Sequence, residues 1–117
     1  MIDSNALSIT RGNSAVIDIT PIDEETQKPI RLEEGDKVLF TIKSNAGTLK
    51  LQKTLTSADY SDISDDSLNC FLEPEDTIDW RPAEYLYDCL LVKSDGTTVT
   101  FISSIFVVEE ALGVYTD

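Results

Sequence analysis

The stretch that decides the fold is Ala83 to Val108: Ala-Glu-Tyr-Leu-Tyr-Asp-Cys-Leu-Leu-Val-Lys, then Ser-Asp-Gly, then Thr-Thr-Val-Thr-Phe-Ile-Ser-Ser-Ile-Phe-Val-Val. Two long runs rich in β-branched, aromatic and aliphatic residues flank Asp95-Gly96. Such a pair closes a tight turn because glycine reaches positive φ without a Cβ clash and aspartate tolerates the left-handed region. The spacing predicts an antiparallel hairpin. Side chains alternate across a strand, so Tyr85, Tyr87, Cys89 and Leu91 share one face and are the expected core face, while Glu84, Leu86, Asp88, Leu90 and Val92 share the other. In the second run Val99 and Phe101 have one parity and Ser104, Phe106 and Val108 the opposite one. A β-bulge near Ser103 accounts for the slip.

Upstream, the same alternation predicts further strands. Leu7 and Ile9 alternate with Ser8 and Thr10; after Arg11-Gly12-Asn13, Ala15, Ile17 and Ile19 alternate with Val16 and Asp18. Pro21 ends that run, since proline has no amide to give a ladder, and residues 23–29 form a polar connection. Leu32 is an isolated apolar anchor. Val38, Phe40 and Ile42 then mark a third strand, and Leu49, Leu51, Lys53 and Leu55 a fourth. A lysine on that alternation fits an edge strand, where charge discourages unwanted pairing. The connection 57–67 carries Asp59, Asp62, Asp65 and Asp66 and is expected as a loop with one helical turn. Leu68, Cys70 and Leu72 mark a fifth strand. Pro74-Glu75-Asp76 then suits the first turn of a short helix, because the proline amide is surplus there and acids complement the helix dipole. Ile78 and Trp80 are expected to plug one end of the core, and the tail from Glu109 to Asp117 to be mobile.

About seven strands, no amphipathic helix of any length and no alternation of strand with helix predict an all-β, antiparallel, immunoglobulin-like sandwich, with a short helical turn before the sixth strand. The chain of 117 residues suits one domain with its core over residues 7–108. Tyr85 stands where such sandwiches place a corner tyrosine. Tyr87 falls at the position of their inter-sheet cysteine, so that disulfide is absent from the comparison.

Composition narrows function further. Nine basic and 22 acidic residues give a formal charge of -13, which repels phosphate backbones and argues against nucleic-acid binding. No run approaches the ~20 apolar residues that span a bilayer, and Met-Ile-Asp-Ser-Asn does not open a signal peptide. The chain contains no histidine, which excludes Ser-His-Asp and Cys-His mechanisms within it. Cys70 and Cys89 fall on core faces and read as buried, reduced thiols. Asp59, Asp62, Asp65 and Asp66 offer oxygen ligands but lack the central glycine and terminal glutamate of a calcium loop, so a solvated loop is expected. Trp80, Tyr85 and Tyr87 invite comparison with a sugar-stacking platform, although aromatics at these positions are usually core. No catalytic set and no cofactor site is expected.

Several stretches together resemble the N-terminal domain of phage baseplate upper proteins, immunoglobulin-like modules of tails. They are Ile9-Thr10-Arg11-Gly12-Asn13-Ser14-Ala15 with Ile17-Asp18-Ile19-Thr20-Pro21; Leu32 and Gly35-Asp36-Lys37-Val38 with Phe40-Thr41-Ile42-Lys43; Leu72-Glu73-Pro74-Glu75-Asp76-Thr77; and Ala83, Tyr85, Tyr87-Asp88 with Asp95-Gly96. The resemblance implies a non-enzymatic virion or prophage component. It would be found in the virion, or in the host cytoplasm during assembly, docked to other phage structural proteins or to further copies of itself. Unpaired backbone along Leu49, Leu51 and Lys53 is the expected partner-strand edge. The competing expectation is a carbohydrate-binding or adhesive β-sandwich.

Overall fold

A computed structural model of the protein describes residues 5–23, 25–62 and 66–110. The hairpin read from the sequence is its backbone: β6 (Ala83–Val92) pairs antiparallel with β7 (Thr98–Glu109). The reversal is a tight turn in which the Gly96 amide donates to the Lys93 carbonyl at 2.9 Å and the Lys93 amide to the Thr97 carbonyl at 2.8 Å. The bulge lies at Phe101, two residues before its expected place: Cys89 pairs with Ile102 and Leu90 with Thr100, so Phe101 is the extra residue. Ser103 itself pairs regularly with Asp88. The parity change, visible in sequence only from Ser104 onward, begins as soon as Ile102 turns inward against the core.

Around this hairpin stand β1 (Leu7–Thr10), β2 (Ala15–Ile19), β3 (Lys37–Lys43), β4 (Leu49–Leu55) and β5 (Leu68–Leu72). They form a five-stranded sheet in the order β1-β7-β6-β3-β4 and a two-stranded sheet β2-β5. This is an immunoglobulin-like sandwich arrangement. One pairing departs from the antiparallel expectation: β1 runs parallel to β7, Leu7 opposite Phe106 and Ile9 opposite Val108. The turn at Arg11-Gly12-Asn13 explains it, because it carries the chain from one sheet to the other instead of closing a hairpin, leaving β1 free to lie along β7. Glu109, expected to open a mobile tail, belongs instead to β7 and pairs with Thr10; residues 111–117 of that expected tail lie outside those described.

Between the layers lie Val38, Phe40, Ile42, Leu68, Cys70, Leu72, Cys89, Phe106 and Val108, all at 1% exposure or less. Tyr85, Tyr87 and Leu91 join them, as the period of two predicts. Each such aliphatic or phenylalanine side chain contributes about 1.5–3 kcal/mol through loss of apolar contact with water. Phe40 and Phe106 meet edge-on with centroids 6.3 Å apart. α1 (Pro74–Thr77) forms where proline and acids placed it, its entry closed by Asp76, whose Oδ2 accepts the Glu73 amide at 2.8 Å. A 3₁₀ turn, Ser57–Asp59, supplies the expected helical turn of the long connection.

Candidate docking edges and loops

The anticipated edge is in place. β4 ends the five-stranded sheet, with β3 on one side and no strand on the other among the described residues. Leu49 is exposed, Leu51 is half-buried against the core, and Lys53 turns inward, opposite Phe40. An inward lysine needs a counter-charge, and Asp76 of α1 provides it: Lys53 Nζ lies 2.9 Å from Asp76 Oδ2. The ladder between β3 and β4 also slips at Lys50, since Ile42 pairs with Leu51 and Lys43 with Leu49. This bulge re-aims Lys50 over the Trp80 ring, its Nζ 5.5 Å from the centroid. Bulge and inward lysine are both devices by which sheet edges resist indiscriminate pairing.

The acidic loop is dispersed. Asp59 is used locally: its Oδ2 accepts the Thr56 amide at 2.7 Å and closes the 3₁₀ turn. Asp62 and Asp66 are exposed, and Asp65 lies outside the described residues. Among the described residues no group of three or more histidine, cysteine or carboxylate side chains converges as a metal site would. The neighbouring Tyr60 ties this connection to the earlier one between β2 and β3, its hydroxyl accepting the Leu32 amide at 2.9 Å and its ring lying 4.0 Å beneath the Arg31 guanidinium.

The aromatic residues belong to the core. Trp80, Tyr85 and Tyr87 are only 7%, 5% and 5% exposed, so none presents a face on which a sugar could stack. Trp80 packs on Tyr85 with centroids 5.0 Å apart, while Ile78, expected to share the plug, stays at the rim, 37% exposed. The Tyr85 hydroxyl donates to the Arg81 carbonyl at 2.6 Å, closing the corner four residues upstream; the Tyr87 hydroxyl donates to the Asn5 carbonyl. Cys70 and Cys89 are unpaired and buried. Removal from water pushes their thiols up to about 11 and about 12, far from the thiolate range of a nucleophile.

Sequence reasoning missed two features. Asp36 is 3% exposed and fully engaged. Its Oδ1 accepts the Ser94 amide at 2.9 Å and its Oδ2 the Glu33 amide at 3.0 Å, with Lys93 Nζ 3.4 Å away. The backbone donors, with Lys93 beside them, hold its carboxyl below the usual 3.8. In Glu33-Glu34-Gly35-Asp36 nothing local distinguishes the acid that turns inward. On the two-stranded sheet, Val16 and Phe71 face each other across the ladder and are 56% and 54% exposed, an apolar pair open to solvent. The pattern placed both outward, and their pairing depended on register.

No known family profile matches the chain, and no curated protein matches it. Among solved structures, the crystal structure of CopC from Methylosinus trichosporium OB3b is similar at 16% identity, with a TM-score of 0.40, covering 72% of this chain and 76% of that one. At that level the likeness carries no argument about what this chain does.

Proposed function

We propose that this chain is a non-enzymatic structural or adaptor component of a phage or prophage particle, docking to tail or baseplate proteins through its sheet edges and loops. The observation that supports the reading is the open edge of β4. Its seven residues present an outer backbone row without a strand partner among the described residues, on a sheet fixed by its other four strands. An extended partner segment can add to such an edge through main-chain hydrogen bonds, and side-chain contacts supply selectivity. Inward Lys53 and bulged Lys50 limit casual pairing to partners that match this geometry. The sequence resemblance supplies the class of partner, and the acidic surface adds a salt-sensitive attraction for basic ones. The test is proteomic. Particles induced from the source organism and purified on a density gradient should contain this chain at constant stoichiometry to the tail proteins. Its absence from intact particles would overturn the proposal.

A further inference from the structure

A sheet with one solvated face alternates apolar with polar residues, whereas strands covered on both faces read as near-continuous apolar runs. Segments of the central strands here have the second signature, Val38-Leu39-Phe40 in β3, Leu90-Leu91-Val92 in β6 and Ile105-Phe106-Val107-Val108 in β7, while Thr41, Thr100 and Ser103 keep other outward positions polar. The inward members of these runs form the core. Their alternates Leu39, Leu86, Leu90, Val92, Ile105 and Val107 lie on the outer face of the five-stranded sheet, which no other element of the described chain covers. Register gathers them into two clusters, Leu39 with Leu90 and Val92, and Leu86 with Ile105 and Val107, on either side of the polar row Thr41, Asp88 and Ser103. Leu86 is the most prominent, 49% exposed.

Charge says what covers this face. The whole chain carries -13, yet the block formed by β3, β6 and β7 up to Val107 presents Lys37 and Lys43 against Glu84 and Asp88, which cancel; Glu109 lies at the corner, beyond the last pair with β6. Two copies approaching by most other surfaces would bring acid against acid. By this face they meet as neutral, partly apolar surfaces on which each lysine can find a carboxylate of the other copy. Lys43 and Asp88, with Leu86, also line a shallow concavity of about 220 Å³. Five strands at ~4.8 Å spacing and a ten-residue strand give a face of roughly 20 by 30 Å, on the scale of the ~800 Å² each partner contributes to a standard interface.

We propose that the outer face of the five-stranded sheet binds a second copy of this chain, forming a two-fold symmetric dimer. The inference stands apart from the phage reading, since it uses only the face's composition and charge. Sedimentation velocity and light scattering across a wide concentration range test it on the full chain. The wild type is expected to dimerise. Leu86→Lys, at a half-exposed site, is expected to raise the dissociation constant by roughly tenfold or more while leaving the thermal transition in place. Lys43→Glu is expected to weaken the dimer most at low salt, and Phe71→Lys on the opposite sheet to leave it unchanged. Should Leu86→Lys perturb folding, Ile105→Lys replaces it. A wild type monomeric at every concentration, or a dimer lost with Phe71→Lys and kept with Leu86→Lys, overturns the proposal.

Discussion

The Asp36 carboxylate accepts the Ser94 amide at 2.9 Å across 58 residues of chain, and so joins the entry to β3 to the turn between β6 and β7. The turn that closes the central hairpin is thereby held from outside the hairpin. Since the same carboxylate also accepts from Glu33, its charge is matched by two backbone donors and by Lys93. Asp36→Asn should lower stability at neutral pH, as an amide oxygen is a weaker acceptor than a carboxylate and leaves Lys93 without its partner.

The pH dependence has a definite sign. Because the folded-state carboxyl titrates below 3.8, its contribution is present above that value and is lost as pH falls through the lower folded value. The gap in urea midpoint between the wild type and Asp36→Asn should therefore be constant near neutrality and close below about pH 4. A gap that widens in acid would refute the assignment.

Gly12 sits at φ +79°, and its amide donates to the buried Thr77 hydroxyl at 2.9 Å, so the turn between the sheets is fastened to α1. A Cβ there would lie 2.6 Å from Ile78 Cδ1. Gly12→Ala should cost about 1–3 kcal/mol from backbone strain. The collision is with the tip of a flexible side chain, so Ile78→Ala in the same background should recover only a small part. Chemical denaturation of both variants separates the two contributions.

Tyr85 fixes the corner that leads into β6. Tyr85→Phe keeps the ring on Trp80 and removes only the bond to the Arg81 carbonyl. That carbonyl belongs to an exposed residue and can turn to water, so the loss should be about 1 kcal/mol, with the fold retained. A loss of several kcal/mol would mean that the hydroxyl supports more than this corner.

What could be read from sequence follows the range of the signal. A period of two is local, so the strands, the inward set Tyr85, Tyr87, Cys89 and Leu91, and the edge position of β4 were legible without a partner strand in view. Pro74 and Asp76 likewise announced α1 through the demands of a first helical turn. Pairing is not local: nothing within Leu7–Thr10 specifies a parallel neighbour a hundred residues away, and nothing within 33–36 says that Asp36 will meet Ser94. The bulge was detectable only as a change of parity, which fixes its existence more firmly than its position. The outer aliphatics of β3, β6 and β7 were visible as continuous apolar runs, but their meaning required the sheet order.

Cys70 and Cys89 give an alkaline counterpart to the acid prediction. Burial raises both thiols, to about 11 and about 12, while an unfolded chain ionises them near the ordinary 9.0. Between those values the unfolded state releases protons that the folded state keeps, so stability falls as pH rises above about 9. Cys70→Ala and Cys89→Ala should each flatten this decline at the expense of a cavity, costing on the order of 1–2 kcal/mol at neutral pH for the lost sulfur contacts. A disulfide-exchange reagent should leave both thiols unmodified in the native protein and modify both at one rate, that of unfolding, in denaturant. Rapid native-state labelling of either cysteine would show that the layer between the two sheets opens without global unfolding.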